Sequence, residues 1–243
     1  MSRRRRSRPA ALALGIGVTI AAGYVAVPRV AARLPVFRLQ QVELVGVRHL
    51  APEAVLAALR LPRDASVFTD TRLLADRVRG VGGVADASVT RALPGTLRVR
   101  VTEVEPTAFV TGPHGRLAPV DAKGHPLPFE AGRGPLDLPI AASDDSGLIG
   151  VLAVVQSADP SLYAQVTSAH ALEEGDVVLE LGTRDVLLRR DAETADVQAV
   201  ELVARDLGAR GRPYTELDAR FAGQVVVRGG AVASRARPRG RRA

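Results

Sequence analysis

The stretch "VTRALPGTLRVRVTEVEPTAFV", residues 89–110, decides how the first half of this chain folds. Leu97, Val99 and Val101 alternate with Arg98, Arg100 and Thr102, the period of two that marks a strand with one face in a core and one in water. Leu93-Pro94-Gly95 supplies a turn, since proline presets φ and glycine tolerates positive φ. The stretch therefore predicts a β-hairpin. Glu103 and Glu105, two residues apart on the second strand, fall on one face, and Pro106 ends the ladder. No nucleophile or second polar cluster accompanies them, so a solvated strand face is favoured over acid–base chemistry.

Upstream, Val42 and Leu44 alternate with polar neighbours and Gly46 closes the strand. "APEAVLAALRL" (51–61) predicts a helix with Pro52 in its first turn and Val55, Leu56 and Leu59 on one buried face. "DTRLLADRVRG" (70–80) predicts a second helix. Asp70 is placed to cap it, Leu73, Leu74 and Val78 form its apolar stripe, and Gly80 ends it in the left-handed conformation. The order is strand, helix, helix, strand, strand.

The N-terminus starts "MSRRRRSRP", followed by eighteen uncharged residues, "AALALGIGVTIAAGYVAV". As a helix they span about 27 Å, close to a hydrocarbon thickness of about 30 Å. The leading arginines outnumber Arg29 and Arg33 beyond the span, which places the N-terminus in the cytoplasm and the bulk of the chain outside. A cleaved signal peptide shares the basic start and apolar middle. The length of the run and the lack of a clean small-residue cleavage site favour an uncleaved anchor.

The formal net charge is +7, but its distribution argues against a nucleic-acid partner. Arg3, Arg4, Arg5, Arg6, Arg8, Arg29 and Arg33 precede the first strand, and Arg235, Arg237, Arg239, Arg241 and Arg242 lie in the last residues. Without those twelve, the +7 becomes −5 for the remainder, so the folded part is mildly acidic. A nucleic-acid-binding domain carries its basic footprint on the fold. The absence of cysteine excludes disulfides, thiolate catalysis and cysteine metal sites.

From residue 107 the pattern is short strands with one long helix. "AFVTGPHGRLAPVDAKGHPLP" predicts two short strands with turns at Gly112-Pro113 and Lys123-Gly124. "SGLIGVLAVVQSADP" predicts a helix capped by Ser143 or Asp144. "YAQVTSAHAL", "DVVLEL" and "DVLLRR" predict consecutive strands joined at Glu174-Gly175 and Gly182-Thr183. "AETADVQAVELVARDL" predicts a helix in which Val197, Val200, Leu202 and Leu207 partly share a face. "YTELDARFAGQVVVRGG" finishes with a last strand, and the residues after it lack apolar periodicity and are expected to be disordered.

No catalytic constellation is visible. His49, His114, His125 and His170 have no metal-ligand spacing. "RGVGGVADA" lacks phosphate-loop spacing and joins a helix to a strand rather than the reverse. No cofactor or metal is expected. A final strand at a sheet edge, by contrast, offers unpaired backbone groups that an extended partner can satisfy. In "ARFAGQVVVR", Val225 and Val227 share one face, Val226 and Arg228 the other, and Phe221 is an apolar anchor. The residues alone equally allow Phe221 and the valines to be core.

Together, "FRLQQVELVGVRHLAPEAV", "SVFTDT" and "VADASVTRALPGTLRVRVTEVEPTAF" resemble the POTRA domain of the bacterial division family FtsQ, called DivIB in many Gram-positive bacteria. Gly46, Asp70, the Arg91-x-x-Pro94 turn and the Glu103-x-x-Pro106 ending carry the resemblance. Val81-Gly82-Gly83 stands where that family often has proline-tryptophan. "ELDARFAGQVVVR" is similar to the family's C-terminal ending, with Ala219 where leucine is usual.

The resemblance implies an α+β protein: a basic cytoplasmic arm at 1–9, a transmembrane helix at 10–31, a POTRA domain (β-α-α-β-β) at 37–106, a β-rich domain with a long helix at 107–230 and a basic tail at 231–243. It also implies a non-catalytic divisome scaffold in the plasma membrane at the septum, helping to control septal peptidoglycan synthesis. The implied partners are FtsB/DivIC-like and FtsL-like membrane proteins, with other division proteins reached through the POTRA domain. By position, partner contact falls on Arg220, Phe221, Gly223, Val225 and Val227. A POTRA-bearing chaperone or translocation module is the alternative, although it would normally carry tandem POTRA units or a β-barrel.

Overall fold

The computed structural model describes residues 35–112, 115–129 and 135–229. The expected arm, transmembrane span and tail lie outside the described residues. Among the described residues no helix is long and apolar enough to cross a membrane. The chain divides into two compact units, Met1–Val104 with Phe129–Gly134, and Glu105–Pro128 with Pro135–Ala243.

In the first unit, β1 (Gln41–Val45) is followed by α1 (Pro52–Leu59), α2 (Thr71–Arg79), β2 (Val84–Ala92) and β3 (Thr96–Glu103). The sheet order is β1-β3-β2, with β1 parallel and β2 antiparallel to β3. The hairpin of residues 84–103 is thus only half an edge: β2 lies at the margin and β3 is flanked on both sides. Leu97, Val99 and Val101 are buried, while Arg98, Arg100 and Thr102 are exposed, as the alternation predicts. Both helices contribute to the core built on those buried residues, through Val55, Leu59, Leu74, Ala75 and Val78.

Leu56 and Leu73, expected on the buried stripes, are exposed. Helices of eight and nine residues lying on a three-stranded sheet bury a narrow i, i+4 stripe, and the flanking leucines fall outside it. Asp70 caps α2 as predicted, its Oδ1 accepting from the backbone N–H of Arg72 at 2.9 Å and Leu73 at 3.4 Å. Gly80, however, has φ −74°; the left-handed residue is Gly83, φ +82°, at the turn into β2. Gly46 has φ +92° and lies against β3 so closely that an added Cβ would sit 2.2 Å from the Val101 carbonyl oxygen.

The second unit holds β4 (Ala108–Thr111), β5 (Leu117–Val120), β6 (Ile140–Ala141), α3 (Ser146–Ala158), α4 (Pro160–Tyr163), β7 (Ser168–Ala171), β8 (Val177–Leu181), β9 (Arg184–Leu188), α5 (Thr194–Ala209), β10 (Glu216–Phe221) and β11 (Gln224–Arg228). The strands form one mixed sheet in the order β11-β10-β9-β8-β7-β6-β4-β5. Leu148, Leu152 and Val155 of α3 and Val197 and Val200 of α5 share a core with Val177, Leu179, Val186, Leu188 and Leu217 of the sheet.

Several local expectations change here. The cap of α3 is Asp145 rather than Ser143 or Asp144. Its Oδ1 accepts from Gly147 and Leu148 N–H, while Arg190 binds Oδ2 at 2.9 Å. The helix also stops at Asp159. That buried carboxylate accepts from Ser161 and Leu162 N–H, and Pro160 begins the short α4 at the one helical position where its missing N–H costs nothing. Leu202 of α5 is exposed. The last predicted strand is a hairpin, β10 and β11, turning at Ala222-Gly223 with Gly223 at φ +70°. The two-residue β6 was not predicted.

Candidate partner-binding edge

Three consecutive valines, 225–227, favour extended backbone because β-branched side chains suit a pleated surface. They form β11, the terminal strand of the eight-stranded sheet, so one of its two backbone edges has no strand beside it among the described residues. Pairing with β10 matches Glu216 to Arg228, Leu217 to Val227 and Asp218 to Val226. The register shifts between Asp218 and Phe221, where β10 carries one extra residue against β11. Such a bulge twists the local ribbon.

All five residues expected at the contact lie on this hairpin, in different settings. Phe221, at the end of β10, is 52% exposed, so it is not core. Gly223 makes the turn. Val225 is partly buried against the core of the unit, and with Val227 it lines a groove of about 560 Å³ closed on its other side by Leu202, Val203, Asp206 and Leu207 of α5, with Arg212. Val226 points to the opposite face and is exposed.

Arg220 is committed within the fold. Its Nε and Nη2 donate to Asp218 Oδ1 and Oδ2 at 2.9 and 2.8 Å, and its Nη1 reaches Asp176 Oδ2 at 3.4 Å. Asp218 is 1% exposed, and the Arg220 guanidinium holds its carboxyl below the usual aspartate value. Arg220 thus fixes the bulged end of β10 from which Phe221 projects. Arg228 Nη1 pairs with Glu216 Oε1 at 2.9 Å across the two strands.

Sequence reasoning missed two exposed apolar residues beside these five. Val226 was visible in the same valine run, but was assigned to the non-contact face. Leu202 was assigned to the buried stripe of α5; its offsets of five residues from Val197 and two from Val200 put it on the far side of a 3.6-residue helix from both, which was the available warning.

The other candidate chemistry resolves into structure. β3 ends at Glu103, so Glu103 and Glu105 do not share a strand face. Glu103 is half-buried rather than solvated. Its carboxylate accepts from the backbone N–H of Arg48, His49 and Leu50 at 2.8–3.1 Å and meets His49 Nδ1 at 3.0 Å. Burial pushes this carboxyl up, but the three backbone donors and His49 outweigh that and hold it below the usual glutamate value. Glu103 therefore pins the loop that leads into α1. Phe129 covers His49, with ring centroids 5.3 Å apart. His170 Nδ1 lies 3.3 Å from Glu180 Oε1 on neighbouring strands. Among the described residues no group of His, Asp and Glu is arranged to hold a metal ion.

A β-α-α-β-β unit whose first strand runs parallel to the middle strand of a three-stranded sheet, followed by a mixed sheet whose last strand, among the described residues, is β11, defines a POTRA-bearing protein of mixed α+β class. The family model described as "POTRA domain, FtsQ-type" matches residues 37–103. The cell division protein FtsQ of Rhodothermus marinus is 30% identical over 213 residues, covering 79% of this chain and 77% of that protein. FtsQ of Caulobacter vibrioides is 31% identical over 240 residues, covering 90% of this chain and 76% of its own. FtsQ of Mycobacteroides abscessus is 31% identical over 185 residues, with 74% of this chain and 59% of that protein covered. The chain belongs to the FtsQ family of cell division proteins.

Proposed function

We propose that this division protein is a non-catalytic, single-pass scaffold of the divisome, and that β11 accepts an extended segment of a small membrane partner of the FtsB/DivIC type. The observation that carries this reading is the open edge of β11 bordered by exposed apolar side chains. An added strand would satisfy the free backbone groups of β11. Phe221, Val227 and the α5 groove would then bury apolar side chains of the partner and supply selectivity. Gly223 and Arg220 would act through the backbone, by setting the turn and the bulge.

An apolar N-terminal span with arginine on its cytoplasmic side would hold both units outside the plasma membrane. From there the protein would recruit FtsB/DivIC-like and FtsL-like partners to the septum and help control septal peptidoglycan synthesis.

The test is depletion in the native host, with complementation by the full chain or by Phe221→Ala. Filamentation on depletion, mid-cell localisation of the wild type, and loss of partner co-purification by Phe221→Ala at normal membrane levels are the expected results. Normal division after depletion would overturn the divisome role. Undiminished partner capture by Phe221→Ala combined with a charged β11 variant, Val227→Asp, would overturn the edge.

A further inference from the structure

We propose that the end of the first unit nearest the chain's entry beds in the lipid interface through two exposed apolar residues, Val36 and Leu93. The ligand is the surface of the bilayer that the N-terminal span would cross, so the inference rests on the anchored reading above.

Hydrogen bonds bring the two residues to one end of the unit. The entry segment Pro35–Phe37 is a single 3₁₀ turn. It is fastened to the loop before α2: Val67 N–H donates to the Phe37 carbonyl, Leu39 N–H to the Ala65 carbonyl, and the Phe37 and Phe68 rings meet edge to face at 5.2 Å. The β2–β3 turn is fastened to the same segment, since Gln40 and Gln41 N–H both donate to the Gly95 carbonyl. Entry segment and turn therefore share one end of the sheet. The Glu103-pinned loop marks the other, one β3 length away, about 25 Å.

Scattered exposed leucines and valines are ordinary on protein surfaces. These two are distinguished by their place in the chain. Val36 is 52% and Leu93 60% exposed. The expected span ends at Ala31, so the six residues from there to Phe37 reach about 20 Å at most, and any compact path brings the turn closer to the headgroups. Charge supports the same partner. Arg29, Arg33 and Arg38 lie on this stretch, and no acidic residue precedes Glu43. Arginine stems can lie along the interface while the guanidinium reaches lipid phosphate.

The chain has no tryptophan, so one introduced indole reports without background. Full-length Leu93→Trp, reconstituted in phosphatidylethanolamine–phosphatidylglycerol vesicles, is expected to show blue-shifted emission that brominated acyl chains quench. Full-length Arg48→Trp, at the far end of the unit, is expected to emit as in water and resist the same lipids. Quenching at 93 without quenching at 48 supports the inference. Equal, water-like emission from both variants in chains that co-float with vesicles overturns it and leaves the anchor standing. Failure of the chain to co-float, or to resist carbonate extraction, overturns both.

Discussion

The β2–β3 and β10–β11 hairpins are built from similar material, runs of valine, leucine and arginine on either side of a glycine-containing turn, yet they use it oppositely. In β2–β3 the apolar residues of the inner strand all enter the core, because β3 has a strand on each side and helices across one face. The charged residue at its end, Glu103, is consumed by three backbone donors. In β10–β11 the outer strand has one neighbour among the described residues, and Phe221, Val226 and Val227 are exposed. Position in the sheet decides whether a valine contributes to stability or is left available for contact. The first hairpin is committed to its own fold, and the second keeps an edge that is unpaired among the described residues.

The strongest way to break this contrast is to empty the first hairpin's core. Leu97→Ala removes a fully buried side chain beneath both helices and should destabilise the first unit by about 3 kcal/mol. Hydrogen exchange would show it as lost protection in β1, β2 and β3, with the β8–β10 amides unchanged if the units unfold independently. Next in size is Glu103→Ala, which leaves the N–H groups of Arg48, His49 and Leu50 without their shared acceptor. A loss of about 2 kcal/mol is expected, with early exchange confined to residues 46–51. Wild-type exchange at that loop after Glu103→Ala would mean that water replaces the carboxylate at no cost.

How much of this was legible in the sequence follows the same line. The POTRA unit read well because its signals are local: period-two alternation at Leu97, Val99 and Val101, a capping Asp70, and a glycine at 46 whose necessity the Val101 carbonyl explains. What failed was anything set by the width of a neighbour. Leu56 and Leu73 each sit beside a buried helix position, but the sheet beneath is too narrow to cover them, whereas Leu202 lies round the helix from Val197 and Val200. The Glu103 role was hidden because its donors lie more than fifty residues away. The contact edge was half legible. The valine run and Phe221 stood out, whereas the bulge, the Arg220–Asp218 lock and the groove against α5 depend on pairing that sequence does not print.

A smaller effect distinguishes the lock within the second hairpin. Asp218 has a depressed folded value, so its contribution to stability is complete above the ordinary aspartate value of 3.8 and is lost as pH falls through the lower folded value. Glu103 adds the same sign in the first unit, below the ordinary glutamate value of 4.5. Asp218→Asn should therefore flatten the acid limb of the second unit's unfolding profile and leave the first unit's limb intact. An unchanged limb in both units would assign the acid sensitivity to other carboxylates.

The smallest expected change is the sharpest test of the comparison. Val→Thr keeps the shape of the side chain and replaces a methyl by a hydroxyl, so its cost measures whether the site is dry. At Val99, fully buried in β3, the hydroxyl meets an apolar core and should cost about 2 kcal/mol. At Val226 the methyl already faces water, and the change should stay within about 0.5 kcal/mol of wild type. The pair of variants, measured by hydrogen exchange of β3 and β10, compares the two hairpins with one chemical operation. If Val226→Thr proves as costly as Val99→Thr, the outer face of β11 is covered in the full chain, and its exposed valines are core to an intramolecular contact. If it is silent, β11 is kept in place by the turn, the Arg220–Asp218 lock and its inward face, which leaves the outer residues free to change with the partner they meet.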